Sequence, residues 1–338
     1  MPRRCQAGHY PSLKEKGLIR MPSLSIKRNR PKYRPPAPLG GRPRSPRQRP
    51  PTSRTVLLAL VPALVILGAF VAWPMVSALK MSFTDASGFG EVSWVGLDNY
   101  VRVFTDPKIL TAVVNTLIYT LLFTPTAVGS ALLLALLVNN SKVFFRSFFR
   151  TALFVPFMVS LAVGAFAWSY LLDPHVGLLN YWLSETGVQL GNVLQDPTLA
   201  MPTVVLVGVW KNFGFYFVIF LAGLQDIPQT LYEAARMDGA GVWRTFRSIT
   251  VPMLSKTFAL VLIFAMIAAL QTFDQIYVMT RGGPYGHTQT VVMEIYDAGF
   301  GRLELGFASA LSYVLLLATL VLSLVQFGFF GRREKDLS

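Results

Sequence analysis

From residue 55 onward the chain alternates long apolar runs with short polar connections, and the runs set its architecture. Six of them lie near 55–80, 110–139, 147–172, 201–225, 253–279 and 306–331. Each offers the ~20 helical residues needed to cross about 30 Å of hydrocarbon. No alternating strand pattern competes and no internal repeat is present, so the predicted fold is all-α and polytopic, with six transmembrane helices. Pro62, Pro74, Pro125 and Pro156 fall inside runs. Each frees a carbonyl, which lipid tolerates only where a neighbouring helix or a watered path restores the bond. They read equally as bends around a path or as packing kinks.

The polar connections set orientation. Residues 81–109 carry Asp85, Glu91, Asp98 and Asp106 against Arg102 and Lys108. The next connection has Lys142, Arg146 and Arg150 and no acid, whereas 173–200 has Asp173, Glu185 and Asp196 and no Lys or Arg. The following loop adds Arg236, Arg244, Arg247 and Lys256, and the tail adds Arg332, Arg333 and Lys335. Basic and acidic connections alternate, which predicts cytoplasmic termini and a cytoplasmic 226–252 loop. The expected organisation is a basic arm over 1–54, a transmembrane domain over 55–331 and a short tail over 332–338.

Polar residues inside apolar runs carry the candidate chemistry, because a charge at mid-membrane costs a few kcal/mol even on lenient scales. Lys211 and Asn212 interrupt the fourth run, and Gln271, Thr272 and Asp274 interrupt the fifth. Lys211 is expected either to be a snorkelled or acid-paired side chain, with Asp274 as the candidate acid, or to line a polar path. For Gln271 the choice is between a plain interhelical hydrogen bond and a solute contact.

The loop from Leu224 to Pro252 has its own local logic. Asp226 and Pro228 supply a helix start, and Leu231, Ala234 and Ala235 recur at helical spacing with small side chains. Gly239 and Gly241 tolerate a left-handed backbone and end that helix. Trp243, Phe246 and Ile249 restart it, and Pro252 leads into the fifth run. The result is a helix–turn–helix knob that serves either as a docking surface or as an ordinary loop helix packed on its own bundle.

The letters of that loop, EAARMDGAGVWRTFRSITVP, resemble the EAA loop of binding-protein-dependent ABC importer permeases. The likeness extends over roughly 55–335, through WVGLDNY, FVPFMVSLAVGAFAW, DPHVGLLN, VWKNFGFY and TRGGPYGHTQT, and is to the carbohydrate branch typified by maltose and glycerol-3-phosphate permeases. One departure is Lys256 and Thr257, where such permeases usually carry another proline; it bears on the start of the helix that follows. The resemblance implies a permease fold and function, with ATPase coupling through Glu233, Ala234, Ala235, Asp238, Gly239, Ala240, Phe246, Ile249 and Pro252. It implies a substrate path at Gly208, Lys211, Asn212, Gln271 and Thr272, to which Asp274 is added. Amides and hydroxyls suit a sugar or polyol, with aromatic rings for its apolar faces. The implied partners are a second homologous permease, two cytoplasmic ATPase subunits and an extracytoplasmic solute-binding (lipo)protein, in a bacterial cytoplasmic membrane. No Walker-type loop is present, so ATP and Mg are expected on the ATPase subunits and no cofactor on this chain. A stand-alone secondary transporter of a polar solute is the alternative; it would need paired intramembrane carboxylates or an inverted repeat.

Composition agrees: 53% of residues are hydrophobic and 14% charged, against about a quarter charged in average chains. The net charge of +14 changes meaning once mapped. Residues 1–54 hold 15 Lys/Arg against Glu15 alone, which accounts for all of it; 16 basic and 16 acidic residues remain elsewhere. That arm also holds half of the 22 prolines and is expected to be disordered. It reads as a topology and anionic-lipid tail, as a nucleic-acid arm poor in stacking aromatics, or as a start-site artefact ahead of Met21. No nucleic-acid partner is expected. Cys5 is the single cysteine, and His9, His175 and His287 stand far apart, so no disulfide or metal site is expected. Nothing forms a nucleophile–base constellation, so no enzymatic activity is expected of this chain.

Overall fold

The computed structural model describes residues 53–88, 90–139, 145–187 and 191–335. The basic arm over 1–54 lies outside them except for Ser53 and Arg54, as do the last three residues of the tail. Proximity along the backbone divides the chain into units 1–60 and 61–338. The described part of the first, 53–60, is helical; the packing, cavity and contacts described below concern the second.

No strand forms among the described residues. The first span joins α1 (Ser53–Leu67) to α2 (Trp73–Met81) through a π-helical turn, Gly68–Ala72. Pro74 explains that turn. A proline has no N–H to offer and crowds the carbonyl four residues back. The widened turn moves the bonding one residue further, with Trp73 N–H donating to the Gly68 carbonyl. No residue from Leu60 to Met81 is buried. A connection braced by Phe83 stacked on Trp94 leads to α3 (Asp98–Thr105). Here Asn99 Nδ2 donates to the Ser82 and Thr84 carbonyls at 3.0 and 2.8 Å. The Ser93 hydroxyl and backbone N–H hold the Asp85 carboxyl below the usual carboxylate range.

The second span is α4 (Pro107–Asn139), unbroken by Pro125. The fourth is α8 (Ala200–Gln225). They pack along each other, and Tyr119, Phe123, Val204, Phe217 and Phe220 form the centre of the main core. The expected single span over 147–172 is instead two helices, α5 (Arg146–Met158) and α6 (Leu161–Leu171), bent by 94°. Pro156 weakens the last turn of α5, and Val159 and Ser160 are extended, so the chain turns where hydropathy alone shows an uninterrupted run. Among the described residues, five helices are thus long and apolar enough to cross a membrane, or six if the bent pair counts as one span. Between the third and fourth spans lies α7 (Leu178–Glu185).

The loop after α8 forms α9 (Gln229–Met237) and α10 (Val242–Thr245), a second π turn (Phe246–Thr250), and α11 (Val251–Met253). Again the π turn precedes a proline: Val251 N–H reaches the Phe246 carbonyl just ahead of Pro252. Where Lys256 and Thr257 replace the usual proline, α12 (Ser255–Leu270) starts regularly. The fifth span then breaks at Gln271–Phe273 and resumes as α13 (Asp274–Met279). After the 280–290 loop come α14 (Val291–Tyr296), a third π turn (Asp297–Gly301) and α15 (Leu305–Lys335), which runs past the expected end at 331. A smaller cluster of Val103, Ile109, Val291, Phe307 and Leu311 seals α3, α4, α14 and α15 together.

Candidate functional site

The 226–252 loop folds as the helix–turn–helix its sequence predicts, with two local corrections. Asp226 does not cap the new helix; it is the C-cap of α8, and Pro228, in extended geometry, holds the N-cap position of α9. Gly239 ends α9 with φ of 71°, while the Gly239 and Ala240 N–H groups donate to the Arg236 and Ala235 carbonyls at 3.1 and 2.9 Å. That pair of bonds is a Schellman closure, which needs a left-handed residue at the glycine. Gly241, by contrast, has φ of −68° and opens α10, so it does not share that role. The alanine pair divides: Ala235 is buried against the bundle and Ala234 is exposed with Glu233 and Asp238. Ile249 packs on the core, and Tyr232 Oη lies 3.2 Å from Thr250 Oγ1, tying α9 to the second π turn. The tip is apolar and open, with Met237 89%, Val242 90% and Trp243 71% exposed. Phe246 supports it, its ring 5.7 Å from that of Trp243.

Four of the six predicted path residues meet at the break in the fifth span. Asn212, Gln271, Thr272 and Asp274 line one cavity of about 170 Å³, along with Tyr119 and Gln275. Gln275, buried, donates from Nε2 to Tyr119 Oη at 2.5 Å and Thr272 Oγ1 at 2.7 Å. Its Oε1 is buried without a hydrogen-bond partner. Asn212 Nδ2 donates back to the Gly208 carbonyl at 2.9 Å. Gly208 itself serves from behind: a Cβ there would stand 2.4 Å from Tyr119 Oη and 3.1 Å from Gln275 Nε2. Only a glycine lets the tyrosine–glutamine pair lie against α8.

Lys211 takes neither the ion pair nor the path position expected of it. It does not pair with Asp274 and does not line the cavity. Its Nζ donates to the Phe157 carbonyl at 2.5 Å and lies 4.3 Å from the Phe157 ring centre. The ammonium thus sits at the C-terminal end of α5, where helix carbonyls lack partners and the helix dipole favours a cation. It pins the 94° bend of the third span.

At the other end of the fifth span the 280–304 connection is heavily tied. Asn115 Nδ2 on α4 donates to the Gly286 and Gln289 carbonyls at 2.8 and 2.9 Å. Arg302 Nη2 meets the buried Glu294 at 2.5 Å and its Nε meets Glu304 at 3.4 Å. Glu304 in turn holds Arg102 at 3.1 Å. Tyr285, left-handed at φ of 50°, projects from this loop at 94% exposure. Among the described residues no cluster of three metal-ligating side chains forms.

Sequence reasoning missed Tyr119 and Gln275. A tyrosine does not interrupt an apolar run, and Gln275 was masked by its neighbours. The available signal was spacing: Thr272 and Gln275 stand three apart on the residues that follow the break.

Residues 103–336 match the family model for the binding-protein-dependent transport system inner membrane component. A probable ABC transporter permease of Pyrococcus horikoshii is 35% identical over 280 residues, 82% of this chain and 96% of the relative. The sn-glycerol-3-phosphate transport system permease UgpA of Brucella abortus is 36% identical over 276 residues, 81% and 94% of the two chains. In a solved bacterial ABC transporter involved in import of the acidic polysaccharide alginate, one chain shares a TM-score of 0.71 and 25% identity over 82% of this chain and 95% of that one. A second structure, in complex with an alginate pentasaccharide-bound periplasmic protein, gives 0.71 and 24% over 82% and 94%.

Proposed function

The chain belongs to the binding-protein-dependent transport system inner membrane component family, as a permease subunit of an ABC importer, and from that premise we propose how its parts divide the work. The 226–252 loop is the seat of a cytoplasmic ATPase subunit, through Glu233, Ala234, Asp238, Gly239 and the exposed apolar tip beside them. Ala235, Ala240, Phe246, Ile249 and Pro252 hold that surface in shape. The cavity at Gln271–Gln275 is this chain's half of the path for a sugar or polyol. At about 170 Å³ it is smaller than typical small-molecule sites of about 300–1,000 Å³. A second, homologous permease supplies the other half. An extracytoplasmic binding protein delivers the solute, and ATP with Mg is consumed on two ATPase subunits rather than here. The complex resides in a bacterial cytoplasmic membrane with both termini of this chain inside, and lipid surrounds the bundle.

The observation that carries this reading is connectivity. From the Gly239 turn, α10, the second π turn, α11 and α12 follow with no intervening loop and end at the break that opens the cavity. A push on the docking helix is therefore passed towards the break in the fifth span at Gln271–Phe273. Glu233→Lys reverses the charge of an exposed residue and tests the docking half. The variant is expected to insert normally and to lose the ATPase subunits during detergent purification; full co-purification with normal transport refutes the assignment.

A further inference from the structure

A row of aromatic rings leads from the cavity to the protein surface, and its meaning rests on the path assignment above. Phe273 lines the cavity at the break of the fifth span. Its ring centre lies 5.3 Å from that of Tyr277, stacked at 25°, and 5.1 Å from that of Tyr296. Tyr296 is in turn 5.2 Å from Tyr277 and 5.3 Å from Phe300. The three inner rings are half-buried, and Phe300 is 75% exposed. The break, α13, α14 and the third π turn thus build one continuous aromatic surface, with the cavity at its inner end.

Lipid does not account for the outer end. Phe300 lies between Asp297 and the exposed Arg302, charges that keep this turn out of hydrocarbon. The turn is also stiff: the Arg302 and Glu304 N–H groups donate to the Asp297 and Ala298 carbonyls, both at 2.8 Å, and Ala298 and Gly299 are buried. An apolar ring is therefore held out on a wet, braced turn, in line with rings that run into the cavity. We propose that Phe273, Tyr277, Tyr296 and Phe300 form an entry track, outside the cavity proper, on which the ring faces of a cyclic sugar stack. The face of an aromatic ring is negative and attracts the slightly positive C–H groups on a sugar ring. The phenols of Tyr277 and Tyr296, and the exposed Asp274 next to Phe273, supply hydrogen bonds for its hydroxyls. An acyclic polyol or a glycerol phosphate has no ring face and gains nothing from the track.

The test uses the whole importer, with its second permease, ATPase subunits and binding protein, in proteoliposomes enclosing ATP. Maltodextrins of graded length, trehalose, xylitol and sn-glycerol-3-phosphate are offered together, and mass spectrometry identifies what accumulates. A ring-bearing sugar is expected. Two variants then separate stacking from packing, since Phe300→Tyr keeps the ring and Phe300→Leu keeps apolar bulk without it. The uptake rate is expected to stay within about two-fold of wild type in Phe300→Tyr and to fall about five-fold in Phe300→Leu. The second permease, the ATPase subunits and binding-protein attachment are expected to be retained in both. Equal rates in the two variants overturn the track, whether both are high or both low. Loss of the second permease or of binding-protein attachment from Phe300→Leu overturns it too, by making Phe300 a protein contact. Accumulation of xylitol or the phosphate alone overturns the track while leaving the permease reading intact. Absence of ATP-dependent accumulation of every solute overturns the path assignment instead.

Discussion

Two Gly-rich connections flank the fifth span, and they are built in opposite ways. The 280–304 connection satisfies itself: Asn115, Gln289, Glu294, Arg302, Glu304 and Arg102 form a chain of bonds within this one polypeptide, and α14 buries Val291 and Met293. The 226–252 connection has a well-made turn at Gly239 and a Tyr232–Thr250 tie between α9 and the second π turn, and then leaves Met237, Val242 and Trp243 open. Charged residues occur in both, so composition does not distinguish them. The difference is whether the polar groups close on each other. A closed network marks a brace. A sound turn that carries exposed apolar side chains is what the proposed ATPase seat requires.

The comparison breaks most visibly at the brace. Arg302→Ala leaves Glu294 buried without its cation, held only by Gln289 Nε2, and is expected to cost about 3 kcal/mol, the low end for breaking a buried pair because the arginine is partly exposed. Thermal unfolding in detergent measures it, and a shift no larger than that of a surface alanine substitution contradicts the brace. The bend at Phe157 gives an intermediate case, held by one pin. Lys211→Met keeps the packed stem but loses a charge-assisted hydrogen bond, for an expected loss of about 1–2 kcal/mol. Adding Asp274→Asn is expected not to restore it, and rescue in the double mutant would reinstate the ion pair. At the open connection the effect on stability is expected to vanish. Met237→Ser with Trp243→Ser should stay within about 0.5 kcal/mol of wild type while the ATPase subunits are lost on purification. Marked destabilisation with the subunits retained would show that the tip serves its own bundle.

Much of the fold was legible because hydropathy and helix length are nearly the same statement in a membrane. The runs at 110–139, 201–225 and 306–331 became Pro107–Asn139, Ala200–Gln225 and Leu305–Lys335. The 94° bend was not legible, since Val159 and Ser160 are ordinary members of an apolar stretch and the turn follows from backbone geometry. At the cavity, Asn212, Gln271, Thr272 and Asp274 announced themselves as polar interruptions. The direction of Lys211 did not, because a lysine's long stem can reach several partners and only the folded third span selects one. Tyr119 and Gly208 were silent for another reason: their roles arise from the close approach of α4 and α8, a relation between residues about ninety positions apart.

The first span, with no residue buried from Leu60 to Met81, has a consequence for how the chain is made. A helix that buries no side chain and meets the rest of the bundle only along α15, where Tyr313 Oη donates to the Met75 carbonyl, must be largely soluble in lipid alone. The stretch before it carries 15 Lys/Arg. The helix can therefore enter the bilayer and fix its direction before α4, its first heavily packed successor, has been synthesised. Insertion of this helix therefore need not wait for the assembly of the later ones.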